Sequence, residues 1–166
     1  KIDVAFLWEN LHFIDVIESD HAPHTVEEKQ SDNPPYGVTG LETTLPLLLT
    51  AVSENRLSIE DIIRLCHNNP AKIFGIKQEK ETYVEIDNDQ SYIINNTSLY
   101  TKCGWSPFAG WKVKGKVVRV VLRGKEVYKD GKVLAKHRKQ SRKYSSHKRW
   151  RISRDRKPDD GFVQLH

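Results

Sequence analysis

A short run of acidic and imidazole side chains follows an apolar stretch near the start of the chain. Residues 13–17 are apolar apart from one aspartate, and Asp20, His21 and His24 come directly after them. In an α/β barrel, catalytic side chains gather where the strands end. A carboxylate there can bind a metal or accept a proton from a metal-bound water, and a histidine four residues later can hydrogen-bond a substrate anion. The same spacing is also typical of an Asx-type turn with two solvated histidines.

The spacing of apolar residues in the first 77 positions predicts several helices and one strand. Apolar residues spaced at i, i+3, i+4 and i+7 predict a helix over residues 1–12, and the β-rich run 13–17 predicts a buried strand. Residues 21–40, hereafter the long loop, are rich in proline and glycine, and a loop of this length is usually functional or disordered; we expect a functional one. The helices predicted after it are 41–53, 59–67 with Ser58 as its cap, and 69–74 closed by Gly75.

Beyond residue 77 the period changes from helical to β. The predicted strands cover residues 82–86, 90–94, 112–122 and 125–128, with glycines at the turns between them. Residues 136–157 hold eleven Lys or Arg against one acid and show no periodicity. We therefore divide the chain into residues 1–77, a small β domain over 78–135 and a basic tail over 136–166 that we expect to be disordered.

Composition restricts the class of protein. The chain has 166 residues, of which 37% are hydrophobic and 30% charged, and its longest apolar run is broken by Pro46 and Thr50. A membrane-spanning helix needs about 20 apolar residues, so we expect none. Cys66 and Cys103 are isolated, with no CxxC. This usage excludes a disulfide framework and favours a reducing, cytoplasmic compartment.

Three blocks of sequence resemble the C-terminal part of dihydroorotases, the cyclic amidohydrolases that interconvert N-carbamoyl-aspartate and dihydroorotate in pyrimidine biosynthesis. The first block is SDHAPHT at 19–25, with EEK at 27–29 and GLET at 40–43. The second is NPAKIFG at 69–75, and the third runs from WSPF at 105–108 through VKGKV at 113–117 to VY at 127–128. The blocks occur in the family's order and cover roughly residues 1–135.

The resemblance implies a fold and a set of roles. The implied fold is α/β: the last αβ unit of a metal-dependent amidohydrolase TIM barrel with its following helices, plus a small β-sandwich-like domain. Asp20 matches the aspartate that contacts the zinc site and acts as general base, then general acid. His24 matches the histidine that holds the substrate carboxylate. Tyr36 and Gly37 are the best matches for the loop backbone that contacts the dihydroorotate ring.

The chain also departs from the family. A complete barrel takes about 250 residues, and only its last unit fits before the β region. The family's HxH pair, carboxylated lysine and two further metal histidines have no match here. We therefore expect most zinc ligands in missing N-terminal sequence or in a partner chain. Because zinc catalysis needs about three protein ligands, we expect the isolated chain to be incomplete and inactive.

Other interpretations remain open at this stage. The nearest is another cyclic amidohydrolase, an allantoinase or dihydropyrimidinase, although the HT and EEK details at 24–29 favour dihydroorotase. A non-catalytic assembly module that docks on a partner such as aspartate transcarbamoylase explains the missing ligands, but it gives Asp20 and His24 no chemical use. Nucleic-acid binding rests on the basic tail alone, with no recognisable binding motif. Trp105, Phe108 and Trp111 are expected to anchor the β region to the barrel part.

Overall fold

Five short helices precede a four-stranded sheet in the computed structural model, which describes residues 2–77 and 80–134. These residues all lie in one compact unit of the chain. The prediction for the tail at 136–166 falls outside them. None of the helices described is long and apolar enough to cross a membrane. The elements are α1 (Ile2–Glu9), α2 (Val26–Lys29), α3 (Thr44–Ser53), α4 (Ile59–Ile63), α5 (Asn69–Ile73), β1 (Tyr83–Ile93), β2 (Lys112–Leu122), β3 (Lys125–Lys129) and β4 (Lys132–Val133).

Local capping signals set the starts of α2 and α4. At α2, the Thr25 hydroxyl accepts the Glu28 N–H, and the Glu28 carboxylate accepts the Thr25 N–H. Ser58 and Asp61 form the same capping box at α4, which confirms the predicted cap. The Ser58 backbone N–H and, after it, the Arg64 and Ser58 side chains lower the pKa of the Asp61 carboxyl. This cap therefore stabilises the fold above the carboxyl's ordinary titration range, and the effect is lost as pH falls through the lowered pKa.

The strand predicted over residues 13–17 is absent, so that prediction was wrong for this chain. Leu11–Phe13 form a 3₁₀ turn, and residues 14–20 pair with no strand. The Ile17 N–H instead donates to the Leu65 carbonyl, 3.1 Å away. A parallel barrel strand is completed by hydrogen bonds to neighbouring strands. No such neighbour lies beside this segment in the part of the chain that the structure describes.

The predicted helices are confirmed in position but not in their bounds. Helix α3 begins at Thr44, three residues after the predicted start at 41. The helix predicted over 59–67 continues from α4 into a π-helical turn, Arg64–Asn68, and then directly into α5. Asn69 therefore lies inside a continuous helical path and does not begin a separate helix.

The four strands form one antiparallel sheet in the order β1-β2-β3-β4. The two strands predicted over 82–86 and 90–94 are a single strand, β1, whose pairing with β2 shifts register between Asp87 and Ser91. That irregularity is where the sequence pattern breaks. Among residues 80–134 the sheet has one layer, so the expected second layer of a sandwich is not seen. Instead, α3 packs against β2.

Close approach between α3 and β2 joins the helical part to the sheet. Gly115 has φ +91°, and a Cβ built on it would lie 2.7 Å from Cβ of Leu49. The Lys114 N–H donates to the Thr50 hydroxyl over 2.8 Å, and that hydroxyl donates to the Pro46 carbonyl. The interface adjoins the buried core cluster, which consists of Leu48, Leu49, Ala51, Leu57 and Ile62.

Several large apolar side chains of the helical part are exposed. Phe6 on α1 is 62% exposed, Phe13 is 77% exposed, and Phe74 after α5 is 71% exposed. Exposed apolar surface of this kind is typical of an interface with further polypeptide. The side chains that share this exposure are Ile2, Val4, Leu7, Ile73 and Ile76.

We predict that Gly115→Ala destabilises the chain by about 1–3 kcal/mol more than Gly110→Ala, as measured by urea unfolding. The added methyl group at position 115 overlaps Leu49, and overpacking of a core contact costs this much. Gly110 is the matched control, because its φ of +86° imposes the same backbone strain but nothing lies within 4 Å of the added Cβ. Equal losses in the two variants would contradict close α3–β2 packing.

Candidate active site

Asp20 lies at the entry to the long loop in a constrained backbone conformation. Its φ is +42°, in the left-handed region that few residues other than glycine, asparagine and aspartate adopt. Its N–H donates to the Glu18 carboxylate over 2.6 Å. The Asp20 side chain is exposed and has no hydrogen-bond partner among the described residues. The backbone thus holds a carboxylate whose oxygens are open to an external group.

The two ends of the long loop are joined by hydrogen bonds. His21 and Val38 form a parallel β-bridge, and the Ala22 N–H donates to the Val38 carbonyl over 2.9 Å. Nδ1 of His21 accepts the N–H groups of Gly40 (3.1 Å) and Leu41 (3.3 Å). Residues 19–22, hereafter the Asp20 segment, are therefore fixed against the end of the long loop.

Gly37 and Lys29 shape the interior of the loop. Nζ of Lys29 donates to the carbonyls of Pro35 (2.6 Å) and Gly37 (3.0 Å). Gly37 has φ +90°, and a Cβ there would lie 2.5 Å from Cβ of Ala22. The glycine is required for loop closure itself, because any side chain would collide with the Asp20 segment. This places Gly37 beside that segment, and its contact with a substrate stays a prediction.

His24 and Tyr36 differ in how firmly they are held. Nδ1 of His24 lies 3.3 Å from Oε2 of Glu28, and the His24 carbonyl accepts the indole N–H of Trp105 over 2.7 Å. The His24 ring is therefore oriented by one carboxylate while its backbone is fixed from outside the loop. The Tyr36 side chain is 97% exposed. The predicted substrate contacts of both residues stay predictions.

Trp105 contacts both halves of the long loop, and the sequence did not indicate these two partners. Its indole donates to His24, and its own carbonyl accepts the Thr39 hydroxyl over 2.9 Å. The expected anchoring role is thus seen for Trp105. Trp111, in contrast, is 55% exposed and packs edge-on against Phe108 with ring centroids 5.3 Å apart.

Glu42 supplies a second link that sequence reasoning missed. Its two carboxylate oxygens accept the N–H groups of Tyr100 and Thr101, each over 2.8 Å. These residues lie between β1 and β2, whereas Glu42 precedes α3. The only signal for this contact was the position of Glu42 inside the GLET block at 40–43.

The described residues do not form a zinc site on their own. Within residues 2–77 and 80–134, no three His, Cys, Asp or Glu side chains are grouped so as to hold a metal ion. Asp20 offers one exposed carboxylate, and a catalytic zinc takes about three protein ligands. The donors here thus amount to a single possible contact.

The fold is similar to that of cyclic amidohydrolase domains. L-hydantoinase (dihydropyrimidinase) from Arthrobacter aurescens superposes with a TM-score of 0.73 and 34% identity, over 78% of this chain and 32% of that chain. The inactive dihydroorotase-like domain of the Chaetomium thermophilum CAD-like multifunctional protein superposes with a TM-score of 0.65 and 32% identity, over 80% of this chain and 37% of that chain. The α/β fold class is therefore that of dihydroorotase and hydantoinase domains.

Sequence comparison makes the relationship more specific. The chain is 58% identical over 134 residues to the multifunctional protein CAD of Squalus acanthias, covering 81% of this chain and 6% of that protein. It is 41% identical over 142 residues to the dihydroorotase of Pyrococcus furiosus, covering 82% and 34%. No family model matches the chain. The predicted resemblance is confirmed: the chain is homologous to dihydroorotases, and it spans about a third of the archaeal enzyme's length.

We predict that Trp105→Phe speeds trypsin cleavage after Lys29 about fivefold. Phenylalanine keeps an aromatic side chain but removes the indole N–H, so the His24 carbonyl loses its donor and the long loop opens more often, at a cost of about 1 kcal/mol. Cleavage at this site is followed by mass spectrometry. Trp111→Phe is the matched control and should leave the rate unchanged. Equal rates in both variants would contradict the link between Trp105 and the loop.

Proposed function

We propose that this chain is the part of a dihydroorotase that carries the acid–base carboxylate and the substrate-carboxylate contact. The observation that supports this most is the exposed Asp20 carboxylate, held in left-handed backbone beside a closed loop that also carries His24. Strained backbone that its surroundings enforce is common at functional sites. Homology to dihydroorotases supplies the reaction class.

Asp20 has the chemistry that opening a cyclic amide requires. Water must add to the ring carbonyl of dihydroorotate, the C–N bond must break, and the leaving nitrogen must gain a proton. An exposed carboxylate can accept the proton of the attacking water and then pass it to that nitrogen. The zinc that the family resemblance implies would rest on side chains beyond the described residues, with Asp20 as at most one of its contacts.

His24 is suited to hold the substrate carboxylate. Glu28 pairs with Nδ1 of the ring, which leaves Nε2 to face a ligand. When both ring nitrogens carry protons, Nε2 donates a charge-assisted hydrogen bond to an anion. The bond from Trp105 to the His24 carbonyl fixes where that donor sits.

Two other functions have some support. Similarity to an inactive dihydroorotase-like domain favours a non-catalytic assembly module, whose partner would be an enzyme such as aspartate transcarbamoylase. Similarity to L-hydantoinase, at 34% identity, favours a related cyclic amidohydrolase. Dihydroorotase is preferred because six dihydroorotases share 37–42% identity with the chain, and the multifunctional protein CAD shares 58%. The free thiols of Cys66 and Cys103 support our proposal that the protein works in the cytoplasm.

The proposal is tested by replacing the matched segment of the Pyrococcus furiosus dihydroorotase with residues 1–135 of this chain. The chimera should bind zinc and hydrolyse dihydroorotate, whereas the isolated 166-residue chain should show no turnover. A chimera that folds and binds zinc but is inactive would contradict the proposal and favour the assembly module. Turnover of hydantoin or allantoin in place of dihydroorotate would favour the related amidohydrolases.

We predict that Asp20→Asn in this chimera lowers kcat by a factor of about 10² to 10⁴, the usual contribution of a general base. Asparagine keeps the size of the side chain and tolerates a φ of +42°, so the change removes the proton acceptor without adding strain. Zinc content should fall much less than turnover. Unchanged turnover would make Asp20 a turn residue.

His24→Ala in the same chimera should affect substrate binding instead. Loss of one charge-assisted hydrogen bond is worth about 1.5–3 kcal/mol, which corresponds to a KM raised by roughly 10- to 150-fold. Steady-state kinetics separate this effect on KM from the effect of Asp20→Asn on kcat. A fall in kcat alone for His24→Ala would contradict the role in substrate binding.

A further inference from the structure

The imidazole of His21 makes two backbone contacts that neither the sequence nor the proposed mechanism assigned to it. Nδ1 accepts the N–H groups of two successive residues, Gly40 at 3.1 Å and Leu41 at 3.3 Å. Backbone N–H groups can only donate, so Nδ1 carries no hydrogen and the hydrogen-bond network assigns the ring proton to Nε2. His21 therefore serves as a hydrogen-bond acceptor through one particular tautomer.

Gly40 is the point at which this contact reaches the rest of the fold. The Gly40 carbonyl accepts both the N–H (2.9 Å) and the hydroxyl (2.8 Å) of Thr44, the first residue of α3. A Cβ built on Gly40 would lie 2.8 Å from the Ser19 carbonyl oxygen, so the two backbones touch. Ser19 and His21 flank Asp20 in the chain, and both contact Gly40. Gly40, which is hydrogen-bonded to the first residue of α3, thus contacts the residues on both sides of Asp20.

We propose that His21 is a positioning residue for Asp20. Nδ1, which carries no hydrogen, accepts hydrogen bonds from the Gly40 and Leu41 backbone and so fixes the Asp20 segment against it. This contact maintains the left-handed backbone conformation that orients the Asp20 carboxylate. The expected effect of His21 on turnover rests on the proposed function. The hydrogen bonds of His21 do not, because they form within this chain. A residue with φ +42° persists only where its neighbours constrain it, and His21 supplies that constraint through its side chain.

The first experiment determines the tautomer of the His21 ring. It requires only one variant, which is used to assign the His21 signal. With ¹⁵N-labelled histidine in the 166-residue chain, His21 should give the shift pattern of a ring with hydrogen on Nε2 and a bare Nδ1. His21→Asn identifies the signal by removing it. Solid-state spectra give the same information if the chain associates through its exposed apolar side chains. A ring with hydrogen on Nδ1 would overturn the proposal.

A pair of amide substitutions then separates the acceptor from the bulk of the side chain. In His21→Asn, Oδ1 takes the place of Nδ1 and can accept the same two N–H groups. In His21→Gln, the amide lies one bond farther out and cannot. The Asp20 and Gly40 amide signals should stay near their wild-type positions in the Asn variant and shift in the Gln variant. Equal spectra for the two variants would overturn the proposal.

In the dihydroorotase chimera, His21→Gln should lower kcat by about 10- to 100-fold, because misplacing a reacting group by about 1 Å can cost about 100-fold, and kcat in His21→Asn should stay close to that of the unsubstituted chimera. Zinc content should stay the same in both variants. If the tautomer and the amide shifts are as expected but the unsubstituted chimera is inactive, the proposed function fails and the positioning contact stands. If the chimera is active and both variants keep full kcat, the positioning role is wrong.

Discussion

Hydrogen bonds between the Asp20 segment and the end of the long loop are the constraint on which the candidate site depends. The Ala22 N–H pairs with the Val38 carbonyl, and the His21 ring accepts the Gly40 N–H. Without this pairing, the exposed Asp20 carboxylate would lie on a loop of about 20 residues whose two ends are not joined, and its left-handed backbone would lose these constraints. Gly37 is needed for the same loop closure, because the closed loop leaves no room for a side chain at position 37.

The loop closure in turn depends on contacts that join the helical part to the sheet. Trp105 holds His24 and Thr39, Glu42 holds the backbone at Tyr100 and Thr101, and α3 packs on β2 through Gly115. All of these contacts cross the predicted boundary at residue 78. The β region therefore does more than follow the helical part in the chain: its residues help to fix the loop that carries His24.

Local sequence patterns predicted the features that depend on interactions between residues close together in the chain. The Ser58 cap, the helical periods and the turn to β structure after residue 77 follow from short-range hydrogen bonds and side-chain spacing, and the structure contains them. Residues 13–17 have the composition of a β-strand. A strand also requires neighbouring strands to hydrogen-bond with, and the composition of a segment does not show whether such strands are present. The Trp105–His24 bond joins residues 81 positions apart, so no window of sequence could indicate it. The acid and histidine run itself was visible because its chemistry lies in consecutive residues.

The central claim is that the Asp20 segment is already fixed in this chain, before any further part of a barrel is added. Hydrogen exchange at the Ala22 amide measures that most directly, because its N–H donates to Val38 only while the long loop is closed. The account predicts exchange at least about tenfold slower than an unstructured amide, which corresponds to a closed state favoured by about 1.4 kcal/mol or more. Exchange of Ala22 at the unstructured rate, while amides of the core helix α3 remain protected, would contradict it.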